Sequence, residues 1–264
     1  MRNADSPPFS PTRRIMAWLV HLYTGLGLPI AGIMAVLIVR GGGDNFRWAF
    51  WLMLLACVID ATDGTLARAA QVKIVLRKFD GARLDDIIDF LTYVFLPLLL
   101  VWRAEILPPD REWILLLPLM AAGYGFSQTE AKTADGYFLG FPSYWNIVAF
   151  YLYVLRLPAG AAEAVVIVLA LLTFVPTKYL YPSQRGLLNR VMAVLGFIWA
   201  AIMIWLLAHL PSEPRLSNIE TDWYQQLAWA SLVVPIFYLV ASWAISTRGV
   251  AVPAAKPDIP SQWH

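Results

Sequence analysis

Charge is scarce in this chain. Of its 264 residues only 14% are Asp, Glu, Lys or Arg, 59% are hydrophobic, and the mean hydropathy is +0.60. Soluble globular chains carry roughly 25% charged residues, so that balance excludes a water-soluble fold and points to the membrane. Cysteine is nearly missing. With Cys57 alone there is no intrachain disulfide and no cysteine metal cluster. The three histidines, His21, His209 and His264, lie too far apart in sequence to make a recognisable metal set, and His21 reads as a packing or polar-contact residue. An excess of one charge sign is absent too. The net charge is +2, with no basic tail or aromatic-basic tract, which argues against nucleic acid as a partner.

What the chain has in quantity is apolar length. Against the roughly 20 residues that span a bilayer, the runs predict helices near 17–39, 46–67, 84–103, 112–127, 143–157, 161–177, 189–209 and 225–246. The expected fold class is therefore all-α, a polytopic membrane bundle of about eight spans. Breaks at Pro108-Pro109, Pro142, Pro158 and Pro176 allow a range of six to eight. Residues 1–16 form a polar segment that holds Arg13 and Arg14 at the headgroups, 17–247 form one membrane domain, and 248–264 read as a tail. The first run is too long for a signal-peptide core and has no cleavage site in the right place, so it is expected to be retained.

Basic residues fix the expected orientation, because cytoplasmic loops carry the excess of Lys and Arg. With an even number of spans and both termini inside, the inner segments hold 14 of the 20 Lys and Arg. An acidic loop with Glu213, Glu220 and Asp222 falls outside.

Four acids stand out against the apolar background. Asp60 and Asp63 stand at i and i+3 near the inner end of the second span, and Asp85 and Asp89 at i and i+4 at the start of the third. Each pair shares one helical face. Ionisable groups inside spans are costly and face a polar interior, so four carboxylates brought together by antiparallel helices call for divalent cations. Hard cations such as Mg²⁺ and Mn²⁺ prefer carboxylate oxygens and share their coordination with substrate phosphates. Gly64 and Ala67 follow Asp60 at i+4 and i+7, which leaves that face bare beside the acids, and Arg68 can reach phosphate oxygens. Gly81 opens the mouth of the third helix. Lys73, Arg77, Lys78 and Arg83 in the connector suit an anionic lipid head.

The run Asp60-x2-Asp63-Gly64-x2-Ala67-Arg68 followed by Gly81-x3-Asp85-x3-Asp89 resembles the signature of the CDP-alcohol phosphotransferase family at every defined position. It covers about a ninth of the chain. The resemblance implies a transferase that moves a phosphatidyl or phosphoalcohol group from a CDP-linked donor to an alcohol, releasing CMP, with Mn²⁺ or Mg²⁺, two ions, as cofactor. By the same carry-over Asp60, Asp63 and Asp85 are metal ligands and Asp89 is a metal ligand or the general base. Asp60, Gly64, Ala67, Arg68 and Gly81 line the CDP site. A homodimer is implied at the same level. Asp86, about 100° around the helix from Asp85, reads as a surface partner of Arg83.

Longer segments, 17–28, 79–97, 124–155 and 174–183, are similar to the bacterial phosphatidylcholine synthase branch of that family. This implies CDP-diacylglycerol and choline as substrates, and the bacterial inner membrane as location with the active site on its cytoplasmic side. A quaternary ammonium cannot donate hydrogen bonds, so its site should offer aromatic faces or a carboxylate. Glu130, Tyr144 and Trp145 are the candidates, although Trp and Tyr also serve as interfacial anchors. Two alternatives stay open. One is the same chemistry on serine, inositol phosphate or glycerol phosphate; the other is a cation-coupled transporter whose acids bind the transported ion.

Overall fold

The sequence Ser10-Pro11 starts the first helix. Ser10 Oγ accepts from the Arg13 N–H at 3.4 Å and Pro11 occupies the first turn, where its missing donor costs nothing. Helix α1 (Pro11–Gly25) therefore begins ahead of the expected residue 17, and Arg13 and Arg14 belong to its first turn. This computed structural model describes residues 9–128, 138–179, 187–211 and 222–247. Glu130 and the tail 248–264 lie outside the described residues.

Helix α2 (Gly27–Arg40) continues α1 through Leu26, and together they make one apolar stretch of 30 residues. Helix α3 (Gly43–Ala69) returns, and a short α4 (Val72–Val75) lies in the connector. Helix α5 (Gly81–Asp89), a π-helical turn (Phe90–Phe95) and α6 (Leu96–Arg103) follow one another without a break and form the third span. Then come α7 (Leu116–Phe126) after a 3-10 turn (Glu112–Leu115), α8 (Trp145–Leu155), α9 (Ala159–Leu172) and α10 (Leu187–Ala208). Helices α11 (Asp222–Ser231) and α12 (Val233–Thr247) form the final span. A two-residue antiparallel pair, β1 (Phe138–Leu139) with β2 (Lys178–Tyr179), ties the strand before α8 to the one after α9.

Four of these stretches, Pro11–Arg40, Gly43–Ala69, Val191–Ala208 and Trp223–Ala244, are long and apolar enough to cross a bilayer. Glu112–Phe126, Trp145–Leu155 and Ala159–Leu172 are shorter and apolar. With the composite third span they reproduce the eight expected segments, and the protein is a polytopic membrane helix bundle.

Helix α8 sits at its centre. Nine of its 11 residues are buried; at about 17 Å in length it is too short to cross the roughly 30 Å hydrocarbon core alone, and protein surrounds it instead of lipid. Its Phe150 and Tyr153 rings pack against Phe50 of α3 at 5.2 and 5.6 Å. Helix α10 shows the opposite pattern, with Phe197 79% exposed. In a membrane that is an apolar side chain facing lipid.

Candidate metal and nucleotide site

The acids lie on the last third of α3 and along α5. Helix α1 packs against α3, α4 and α5, and so closes the third side. Helix α5 starts cleanly because the Asp80 side chain accepts from the Arg83 N–H at 3.2 Å. The Arg83 guanidinium also pairs with Asp80, at 3.2 Å. Directly after Asp89 the helix widens into the π turn, a feature that recurs at functional sites. Tyr93 on this turn reaches back across to α3, where its hydroxyl donates to Asp60 Oδ2 at 2.8 Å.

Asp60, Asp85 and Asp89 each offer a carboxylate oxygen within 4.8 Å of the others, and none of the three is fully buried. At an effective dielectric near 20, two charges at that spacing repel by about 3–4 kcal/mol, so a countercharge is required to hold three. The donor set is all oxygen, which fits a hard divalent cation. Asp89 Oδ1 supplies an independent sign. It is shielded from solvent and has no hydrogen-bond partner, a position that an ion or an incoming proton would satisfy. The cluster can therefore hold a metal ion.

Asp63 lies outside that group of three. It is buried at 6% exposure, and its Oδ2 accepts from Thr24 Oγ1 of α1 at 2.7 Å. It nevertheless borders the same space as Asp85: a cavity of about 900 Å³ lined by Asp63, Gly64, Ala67, Arg68, Gly81 and Asp85, with His21 and Thr24 on one wall and Lys73, Arg77 and Phe79 on the connector side. Four of the five residues expected at a CDP site, Gly64, Ala67, Arg68 and Gly81, line it; the fifth, Asp60, stands in the carboxylate cluster.

The small residues have a steric reason. A Cβ on Gly81 would collide with the His21 imidazole, whereas one on Gly64 would meet only Arg68 Nη1 at 3.4 Å. His21 packs as expected and also walls the cavity. It is 6% exposed, its ring lies 4.5 Å from Phe79 and 6.1 Å from Trp18, and it forms part of the cavity wall. Arg68 Nη2 donates to Thr65 Oγ1 at 2.9 Å, which steadies its guanidinium beside the cavity.

The acceptor candidates are placed elsewhere. Trp145 is fully buried in the core with its ring 5.6 Å from Phe141, and Tyr144 borders an apolar groove between α8, α9 and α12. Neither lines the aspartate cavity. Glu130 lies outside the described residues. Asn146 makes an interhelical contact, donating to Cys57 Sγ at 3.2 Å, about one turn before Asp60.

Sequence reasoning did not single out Thr24 and Tyr93. Both carried a usable signal. Tyr93 stands four residues after Asp89, and Thr24 three after His21, so each extends a polar face already in view.

No family model matches the chain. Individual proteins do. A phosphatidylcholine synthase from Legionella pneumophila is 38% identical over 226 residues, 81% of this chain and 86% of that protein. Others from Legionella bozemanae and Pseudomonas aeruginosa are 39% and 37% identical, over 64% and 77% of this chain and 81% and 85% of theirs. Identity of that order along most of both lengths, in a membrane bundle that gathers the Asp60–Asp89 acids beside one cavity, makes this chain a member of the phosphatidylcholine synthase family of CDP-alcohol phosphotransferases.

Proposed function

We propose that the chain transfers the phosphatidyl group of CDP-diacylglycerol to the hydroxyl of choline and releases CMP. The observation that carries this reading is the meeting of Asp60, Asp85 and Asp89 within 4.8 Å beside a cavity walled by small and basic residues. Asp60, Asp63, Asp85 and Asp89 would hold Mn²⁺ or Mg²⁺, two ions, whose role when bound is to neutralise the diphosphate and the departing phosphate.

The rest is the work of the chain's own residues. Gly64, Ala67 and Gly81 keep the wall bare, so that a diphosphate approaches the backbone closely. Arg68 and the connector cations Lys73 and Arg77 offset its charge. Asp89 Oδ1 takes the hydroxyl proton of choline as the new O–P bond forms and the bond from phosphorus to the CMP oxygen breaks. Tyr93 holds Asp60, and Thr24 holds Asp63, in fixed orientations. The diacylglycerol part enters sideways from the lipid and choline arrives from water. Of the acceptor candidates Glu130 is kept for choline, while Tyr144, which borders the apolar groove, and Trp145, fully buried, are set aside. The expected topology, with 14 of the 20 Lys and Arg in the inner segments, supports a cytoplasmic active site in a bacterial inner membrane.

The test is to incubate purified protein in lipid nanodiscs with CDP-diacylglycerol, Mn²⁺ and labelled choline. Equal amounts of CMP and labelled lipid, both abolished by a chelator, are expected. CMP without labelled lipid moves the reading to another alcohol, and neither product overturns it in favour of ion transport.

A further inference from the structure

A second cavity, of about 960 Å³, lies at the other end of α3. It is framed by the N-terminus of α3 (Gly42–Phe46), the end of α6 (Arg103–Ile106) and the end of α8 (Leu152, Tyr153, Arg156, Leu157). Seventeen residues of helix separate Gly43 from Asp60, which is about 26 Å, so this space is distinct from the aspartate site.

Four features offer an anion a grip there, and they outweigh one exposed carboxylate of the lining, Glu105, which stands at the rim beside Arg103. Arg103 lies flat on Gly41, whose φ of 70° and missing side chain admit it; a Cβ there would stand 2.6 Å from the guanidinium, and Nε donates to the Val39 carbonyl at 3.2 Å. Arg156 follows the last turn of α8 with a left-handed backbone, φ 48°. Its side chain lines the cavity beside Tyr153, and no salt bridge to it is formed among the described residues. Tyr153, 7% exposed, lines the cavity, and its hydroxyl is shielded without a hydrogen-bond partner. The N-terminus of α3 adds backbone N–H groups that no side chain caps. Asp44 at the rim is paired with Arg47 at 2.9 Å.

The depth is that of lipid headgroups. Trp48, Trp102, Trp113 and Trp223, all exposed, cluster at the ends of α3, α6, α7 and α11 on this side, as an interfacial aromatic belt does. Basic pockets between spans at that level bind lipid head groups, and the volume suits one.

We propose that this cavity binds the phosphodiester of a membrane phospholipid through Arg103, Arg156 and the Tyr153 hydroxyl. The inference does not rest on the transfer reaction assigned to the other end.

Native mass spectrometry of the delipidated full chain in detergent and chelator, titrated with dioleoyl phosphatidylglycerol, dioleoylglycerol or inorganic phosphate, tests it. One phosphatidylglycerol per chain is expected to be lost, with at least a tenfold fall in affinity, in the Arg103→Gln/Arg156→Gln variant. Tyr153→Phe keeps the ring against Phe46 and Phe50 and should weaken the same event several-fold. Dioleoylglycerol should not bind there. Equal lipid occupancy in wild type and the arginine variant, or equal retention of dioleoylglycerol, overturns the proposal. Phosphate that binds with the same variant sensitivity and displaces the lipid at micromolar concentration assigns the site to a free anion and overturns the lipid.

Discussion

Helix α3 carries a cavity at each end, about 900 Å³ beside Asp63 and about 960 Å³ beside Asp44, and both are lined by arginine. Volume and positive charge therefore do not distinguish them. The difference is that one end gathers three carboxylate oxygens within 4.8 Å and strips side chains from the adjoining wall, while the carboxylate of Asp44 at the other end is neutralised by Arg47 at 2.9 Å. A site for group transfer needs charge of both signs in fixed places. The end near Asp44 has a grip for an anion, and its other carboxylate, Glu105, is a single exposed group and not part of a cluster among the described residues.

Removing the carboxylate that makes the ends unlike should have the largest effect. Asp89→Asn is expected to lower kcat by about 10²–10⁴-fold, read in the choline assay with circular dichroism confirming the fold. Retention of full turnover would break the contrast between the two ends.

Next in size is the bare wall. Gly81→Ala forces a methyl group into the His21 ring, an overpacking of about 1–3 kcal/mol, and should raise the KM for CDP-diacylglycerol by about tenfold or more. Adding His21→Ala removes the colliding ring and should recover part of the loss. Gly64→Ala, whose new Cβ meets only Arg68 Nη1 at 3.4 Å, should change KM by less than about threefold.

Tyr93→Phe takes one hydrogen bond from Asp60 and leaves the ring. Groups that orient metal-ligating carboxylates are worth about 10–100-fold in metal affinity, so the Mn²⁺ concentration for half-maximal turnover should rise by about tenfold while kcat at saturating Mn²⁺ holds. The smallest effect belongs to the far end. Asp110→Asn loosens an exposed contact of 3.7 Å to Arg111, worth about 0–1 kcal/mol, and turnover should stay within about twofold.

The carboxylates were legible because a helix converts i, i+3 and i, i+4 spacing directly into a shared face, and because an acid inside an apolar run is conspicuous. The apolar segments were legible for the same reason of contrast, and each has a helical counterpart in the bundle, four of them long enough to cross a bilayer. Helix α8 was not distinguished from a lipid-facing span. Its sequence is apolar on every side, and whether protein or lipid surrounds such a helix depends on partners far away in the chain, here Phe46 and Phe50 of α3 and Ser231 of α11, which hydrogen-bonds Tyr151 at 2.8 Å. That is why Trp145, read as a possible cation-facing ring, lies fully buried in the core.

Ser10-Pro11 held the information for an early helix start and was outweighed by the polar composition around it. The π turn at Phe90–Phe95 had no readable mark, since a single widened turn leaves the apolar pattern intact. In the sequence Arg103 and Arg156 are only two of the six Lys and Arg that fall outside the inner segments. Only the fold shows that they converge, with Tyr153, on one cavity.

The most direct test of the central claim, that Asp60, Asp85 and Asp89 form a cation site, is an electron paramagnetic resonance titration of Mn²⁺ against the purified protein in nanodiscs. Wild type should take up Mn²⁺ with the six-line free-ion signal suppressed, and Asp60→Asn/Asp85→Asn should leave that signal free at the same concentrations. Equal uptake by the two proteins would contradict the account.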